Sequence, residues 1–472
     1  MHLRQRHKWA TVIHNFLYSP AYFFLIGFLT VLSNTCNAEL FVYTCFILIG
    51  IYICFMARDL LPLMPMIICG YITPSVGNNP GVNDSSIFSF HGGGLYIILL
   101  VVLFLISLVY RIATDPDFGG KKFFTHKRTL LPGILALGLA YMLSGLGSGQ
   151  WAKVGGQNLL FAVLQFLSIG LVYFILSGGV RWEQAPEKYL AWVGVCVGYV
   201  LLAELAFIFW DSEIIFKGRI LRDKIYTGWG HYNNIGALLA MMIPFPFFLT
   251  GKSRYPSLFY LTALLFFAGL LLTCSRGSIL FGVVIYLISY IFSLFFSRQA
   301  RRCFGMHIFT VLLAGVLVFN FSKELRWLFF SMVNAGFASE AREEIYSQGI
   351  AQFLKCPIWG GSFFPVDASP FSWSTSESFV SFFPPRWHNT FIQILASCGI
   401  VGMAAYLFHR VQTVILFVRN FNKEKMFVAF SILSLLMTSM LDCHLFNIGP
   451  AMFYSMALAF TEHGLNSREK AR

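Results

Sequence analysis

The sequence predicts an all-α, polytopic integral membrane protein of about 12–14 transmembrane helices, with both termini inside and one large extracytoplasmic loop. Three observations predict it. The first is composition: 57% of the 472 residues are hydrophobic and 12% are charged, with a mean hydropathy of +0.69. A soluble globular domain carries about 25% charged residues, so most of this surface has lipid for its solvent. The 52 Phe, spread over the whole length, suit side chains that face acyl tails. The second observation is the recurrence of apolar stretches from one end to the other. The third is the placement of Lys and Arg between them.

The apolar stretches begin at residues 19–35, 39–56, 60–73, 93–110 and 130–147. They continue at 157–178, 189–210, 233–250, 257–273, 277–296 and 305–321, and end with 389–408, 426–442 and 445–461. A helical span takes about 17–25 residues, so 60–73 is the short member of the series. With the N-terminus inside and sides alternating, the inside segments hold 23 of the 34 Lys and Arg. Cytoplasmic loops collect positive charge in this way, which accounts for the net charge of +13 without nucleic acid. The basic opening "MHLRQRHKWA" stays cytoplasmic on this reading, and no cleavage site follows the first apolar run.

Three regions follow: N-terminal helices over 1–210, a core over 211–461 containing the outer loop 322–388, and a cytoplasmic tail, 462–472. The outer loop contains an amphipathic helix, with Ala341, Ile345, Ile350 and Phe353 spaced to lie on or beside the membrane. The ten Cys include no C-x-x-C pair, so neither zinc nor a disulfide framework is indicated.

The basic residues that break the inside trend are the informative ones. Arg219 and Arg222 lie in "GRILRDKIYTGWGHYNN", Arg276 in "TCSRGSILFG", Arg342 in "SEAREEIYSQG", and His388 with Asn389 in "PPRWHNTFIQILASCGIVG". Each has a plain reading. Arg276 can reach headgroup phosphates from a turn between spans, and Arg342 can pair with the glutamates around it. Arg219 and Arg222 can be solvated beside Asp211, Glu213 and Asp223, and Asn389 suits a helix N-cap.

Together they suggest chemistry, because the charge-derived topology puts all four segments on one face of the membrane. Arginine pairs bidentately with phosphate oxygens and stays charged when partly desolvated. A helix starting near Asn389 adds the positive end of its dipole. A histidine beside a bound pyrophosphate can take the proton of an attacking hydroxyl. "DCHLFN", with Asp442 and His444, is a weaker fifth element.

In this order the motifs resemble the O-antigen ligase and polymerase superfamily of bacterial envelope glycosyltransferases, over roughly residues 211–461. The closing element is similar to that family's His-Asn followed by a helix and two glycines, here Gly399 and Gly402. The resemblance implies a metal-independent, inverting enzyme without cofactor in the bacterial plasma membrane, its site facing outside. Its donor would be an undecaprenyl-diphosphate-linked glycan, and its acceptor a glycan, lipid or wall polymer. By position His388 is the catalytic base, and Arg276, Arg342, one of Arg219 and Arg222, and Asn389 hold the substrate. "YTGWGHYNN" departs from the commoner "G-x-F-x-N-P-N" form. The rival reading is a flippase for the same lipid-linked sugars. That would call for charges at mid-membrane depth, where Glu204 is the chief candidate.

Overall fold

The computed structural model describes residues 11–36, 38–57, 60–72, 94–115, 128–149, 151–180, 186–210, 214–216, 219–321, 323, 326, 340–364, 386–419 and 422–469. Among the described residues the fold is all-α apart from two small hairpins, Ile215–Phe216 with Arg219–Ile220 and Tyr226–Thr227 with Gly230–His231. Among the described residues seven helices are long and apolar enough to cross a membrane. An eighth arises if Thr11–Leu17 and Pro20–Cys36, bent by 62° at a short break, form one span. Proline tolerates the start of a helix but not its interior, so Pro20 opens the second piece.

Among the described residues, other expected apolar stretches form shorter helices than these, for local reasons. The stretch 60–73 yields only Leu63–Ile72. The stretch 130–147 yields Leu131–Met142, after which Gly145, Gly147 and Gly149 take positive φ and end the helix. Pro256–Leu272 and Lys425–Thr438 are also short. Most of the outer loop, residues 322–388, lies outside the described residues.

The chain forms two compact units. The first comprises residues 1–127, 175–330 and 422–434. Here Tyr232–Met242 and Pro244–Thr250 run as one deeply buried span, and Arg276–Phe296 packs beside it. Gly236 permits that approach: a Cβ there would come within 2.9 Å of the Ser278 Cβ.

The second unit comprises residues 128–174, 331–421 and 435–472. Its axis is the helix Thr390–Arg419, which is broken at Gly399 (φ +63°, ψ −157°). Such a break frees backbone groups that a membrane interior cannot hydrate. The segment Cys356–Phe363 satisfies them. Gly361 N donates to Ala396 O (2.8 Å) and Ser362 N to Ser397 O (3.2 Å). In the other direction Ile400 N donates to Pro357 O (2.8 Å) and Val401 N to Ile358 O (3.2 Å). Gln352 Nε2 reaches Ala396 O (3.1 Å), and Ser144 Oγ reaches Ser397 O (2.6 Å). Asn158 Oδ1 accepts from Ser362 Oγ and Phe363 N, both at 3.0 Å.

The helix Glu340–Lys355 packs on the first turns of Thr390–Arg419. Ile345 is buried with Trp387 and Ala396, and Tyr346 and Ile392 close over them. Ile350, which the sequence pattern placed on the same apolar face, is exposed.

Candidate functional site

The predicted residues fall into two groups, one in each unit. In the second unit Asn389 caps the Thr390–Arg419 helix: its Oδ1 accepts from Phe391 N (2.9 Å) and Ile392 N (3.2 Å). Its Nδ2 donates to Met440 O (2.9 Å), so most of the amide is spent on the chain itself. Trp387 is buried, and its N donates to Gln393 Oε1 (3.0 Å). Thr390 N donates to Ser439 O (3.0 Å), and the Tyr346 hydroxyl to His388 O (3.2 Å).

Held on both sides in this way, His388 takes a left-handed backbone (φ +49°). The only other non-glycine residues at positive φ among the described residues are Cys274 and Ser362. Such a conformation costs about 1–3 kcal/mol and persists where the surroundings over-determine it. His388 Nδ1 lies 3.3 Å from Asp442 Oδ1, an ion-pair distance at which the ring N–H is not aligned on the oxygen. Catalytic hydrogen bonds are often loose before substrate binds. Nδ1 is itself buried although the side chain is 36% exposed, so the open edge of the ring is the one carrying Nε2. With Nδ1–H turned to the carboxylate, the Nε2 lone pair is the proton acceptor.

Burial would push the Asp442 carboxyl up, but the His388 contact and the fields of His444 and Arg386 hold it well below the ordinary range. Asp442 is therefore ionised at neutral pH. His444 is buried, and burial lowers it to about 4; Arg386, His388 and Arg342 push the same way, and Asp442 opposes them. Arg386 and Arg342 thus act on the turn that faces His388. Neither guanidinium makes an ion pair or hydrogen bond with another described residue. The arrangement is a histidine, a carboxylate beside it, and two arginines that form no ion pair with another described residue.

The histidine low in its range carries a stability prediction. As pH falls through about 6.5 the unfolded chain binds a proton at His444 and the folded chain does not. Stability is then lost between about pH 6.5 and 4, by about 2 kcal/mol at pH 5 for this group. His444→Gln removes the contribution. Its Tm in detergent should fall less from pH 7 to pH 5 than that of the wild type; equal slopes would mean that His444 is not held neutral.

In the first unit the Arg276–Phe296 helix begins at Arg276, directly after Cys274 in a left-handed conformation (φ +54°). Ser275 Oγ bonds to Asn233 Oδ1 (2.8 Å) and Ser278 Oγ (3.0 Å). This ties the Ser-Arg-Gly turn to the start of the Tyr232–Met242 helix. Arg276 is half-buried, and its guanidinium has no partner among the described residues. The Arg222 guanidinium lies over the Tyr232 ring, 5.5 Å from its centroid, and its charge acts on the Cys274 thiol. Arg219 sits on a two-residue strand, and its side chain is outside the described residues.

Asp442 and Arg386 are the residues that the sequence reading left out of its leading set. Asp442 was visible only as part of "DCHLFN", 54 positions after His388. Arg386 was visible as a basic residue breaking the inside trend, two positions before the histidine.

No curated protein and no solved structure matches the chain. Residues 261–407 match the family model described as O-antigen ligase. That stretch contains the Ser-Arg-Gly turn, Arg342, His388, Asn389, Gly399 and Gly402, and excludes Arg219, Arg222 and Asp442. This stretch therefore carries the similarity to O-antigen ligases, in agreement with the order in which the motifs stand along the chain.

Proposed function

We propose that the protein transfers a glycan from an undecaprenyl-diphosphate carrier to an acceptor hydroxyl at the outer face of the bacterial plasma membrane. His388 Nε2 takes the proton of the acceptor hydroxyl as its oxygen attacks the anomeric carbon. The bond from that carbon to the diphosphate oxygen breaks, configuration inverts, and the diphosphate leaves on the lipid. Asp442 orients the ring and stabilises the imidazolium that forms. Arg276, Arg342 and Arg222 or Arg219 take the charge of the leaving diphosphate, a role that arginine's fork geometry suits. Asn389 serves the site by starting the helix whose N-terminus adds positive potential.

The observation that carries this reading is the left-handed His388 beside an ionised Asp442, its other nitrogen on the open side. The test uses purified protein in lipid nanodiscs with undecaprenyl-diphosphate oligosaccharide and excess EDTA. Release of undecaprenyl diphosphate and growth of glycan are followed together. Wild type is expected to turn over in EDTA. His388→Ala should lose about 10²–10⁴-fold, the usual worth of a positioned general base. Arg276→Lys, which keeps charge but not the fork, should insert normally and be largely inactive. A folded wild type that binds the lipid and never cleaves it, across several glycans and acceptors, would favour a flippase.

A further inference from the structure

Glu204 is a buried charged residue that takes no part in this mechanism. It lies on Pro186–Trp210, six residues before the helix end, and is 4% exposed. Carboxylates are almost never so buried without donors around them. Three donors surround this one. Asn34 Nδ2, from the helix Pro20–Cys36, donates to its Oε1. The side chains of Thr227 and Trp229, both buried, lie within hydrogen-bonding reach. Its second oxygen, Oε2, has no aligned partner, and neither has the indole Nε1 of Trp229. An acceptor and a donor left over at one site satisfy each other with a small adjustment.

Thr227 and Trp229 belong to the hairpin Tyr226–Thr227 and Gly230–His231, and Trp229 N also donates to Thr227 Oγ1 (3.1 Å). The hairpin runs directly into Tyr232, on whose ring Arg222 rests, and into Asn233, which holds Ser275 beside Arg276. We infer that Glu204 is a positioning residue, whose buried carboxyl group ties the 226–231 hairpin to two membrane helices and thereby sets where Arg222 stands. The same contacts argue against a coupling site of the transporter kind. Oε1 of Glu204 accepts from Asn34, the side chains near it are neutral, and no Lys or Arg is among its described partners. The inference rests on the transferase reading for Arg222, but the anchoring itself does not.

Two measurements separate those parts. Glu204→Gln replaces one acceptor oxygen with an amide NH₂ that faces N–H and O–H donors. Hydrogen–deuterium exchange of the protein in nanodiscs should then show at least tenfold faster exchange over residues 219–231, with the other helices unchanged. Trp229→Phe removes a donor from the opposite side and should act in the same direction, which keeps the test open if Glu204→Gln fails to insert. Unchanged exchange in both variants would overturn the anchor. In the nanodisc assay Glu204→Gln, Arg222→Gln and the double variant form a cycle. If Glu204 acts through Arg222, the double variant is within about twofold of Arg222→Gln alone. Losses that multiply would overturn the positioning role while leaving the anchor. A wild type without turnover would sink the transferase reading, and exchange would still judge the anchor.

Discussion

Asp442→Asn should lower kcat by about 10²–10⁴-fold with little change in KM, in a protein that inserts like the wild type. Asn keeps the shape of the side chain and an oxygen to accept from Cys443 N, which Asp442 Oδ1 now does at 2.7 Å. The backbone Asp442 N to Thr438 O bond (3.1 Å) is likewise untouched. What the substitution removes is charge. The ring of His388 is then free to settle with either nitrogen protonated, and an imidazolium formed on attack has no carboxylate beside it. An effect confined to kcat follows because the imidazolium exists only as the hydroxyl loses its proton. If Asp442→Asn keeps full activity while His388→Ala is inactive, the histidine works alone and the 3.3 Å pairing is structural.

Gly399→Ala should be among the most damaging single methyl groups in the described chain. Its φ of +63° and ψ of −157° lie in a region open essentially to glycine alone. Space is the second obstacle: a Cβ would stand 2.4 Å from Ile358 O and 2.6 Å from Pro357 O. Those are the carbonyls that receive Val401 N and Ile400 N, so relieving the clash breaks the bonds that close the helix break. Backbone strain of about 1–3 kcal/mol together with lost hydrogen bonds of about 1 kcal/mol each approaches the whole stability of many domains. The variant is expected to accumulate poorly and to lose its cooperative melt. Gly315→Ala supplies the comparison, because nothing lies within 4 Å of the added methyl. It should leave Tm unchanged or raise it slightly, since alanine is the better helix former. Equal behaviour of the two variants would refute the account of the break.

Hydropathy made the membrane fold legible, because lipid imposes apolar side chains on every exposed helix face. It served less well for counting, since proline, glycine and local unwinding divide apolar stretches without making them polar. Pro244 sits inside one span and Gly399 inside another, and neither lowers the hydropathy around it. His388 was legible because a histidine followed by a capping residue stands at the mouth of an apolar run. Its left-handed backbone was not, since glycine is the usual signal for that conformation and here the neighbours impose it. Asp442 is a long-range partner, and only the packing of Thr390–Arg419 against the 439–447 turn brings it to the histidine. Glu204 stood out by charge alone; that its neighbours are Asn34 on an earlier helix and a hairpin more than twenty residues later depends on folding.

The splice at Gly399 also bears on how such a protein can diversify. Residues 356–363 are fastened to the break at 396–401, and Trp387 is fastened to Gln393, so the segment between leaves and rejoins the same helix at two fixed clasps. The entropy of closing a loop grows only slowly with its length, about 0.6 kcal/mol per doubling. A change in the number of residues between the clasps therefore costs little, and the bonds at 356–363 and at Trp387 keep their geometry. The placement of His388 is thereby set by the helix that follows it, not by the length of chain that precedes it.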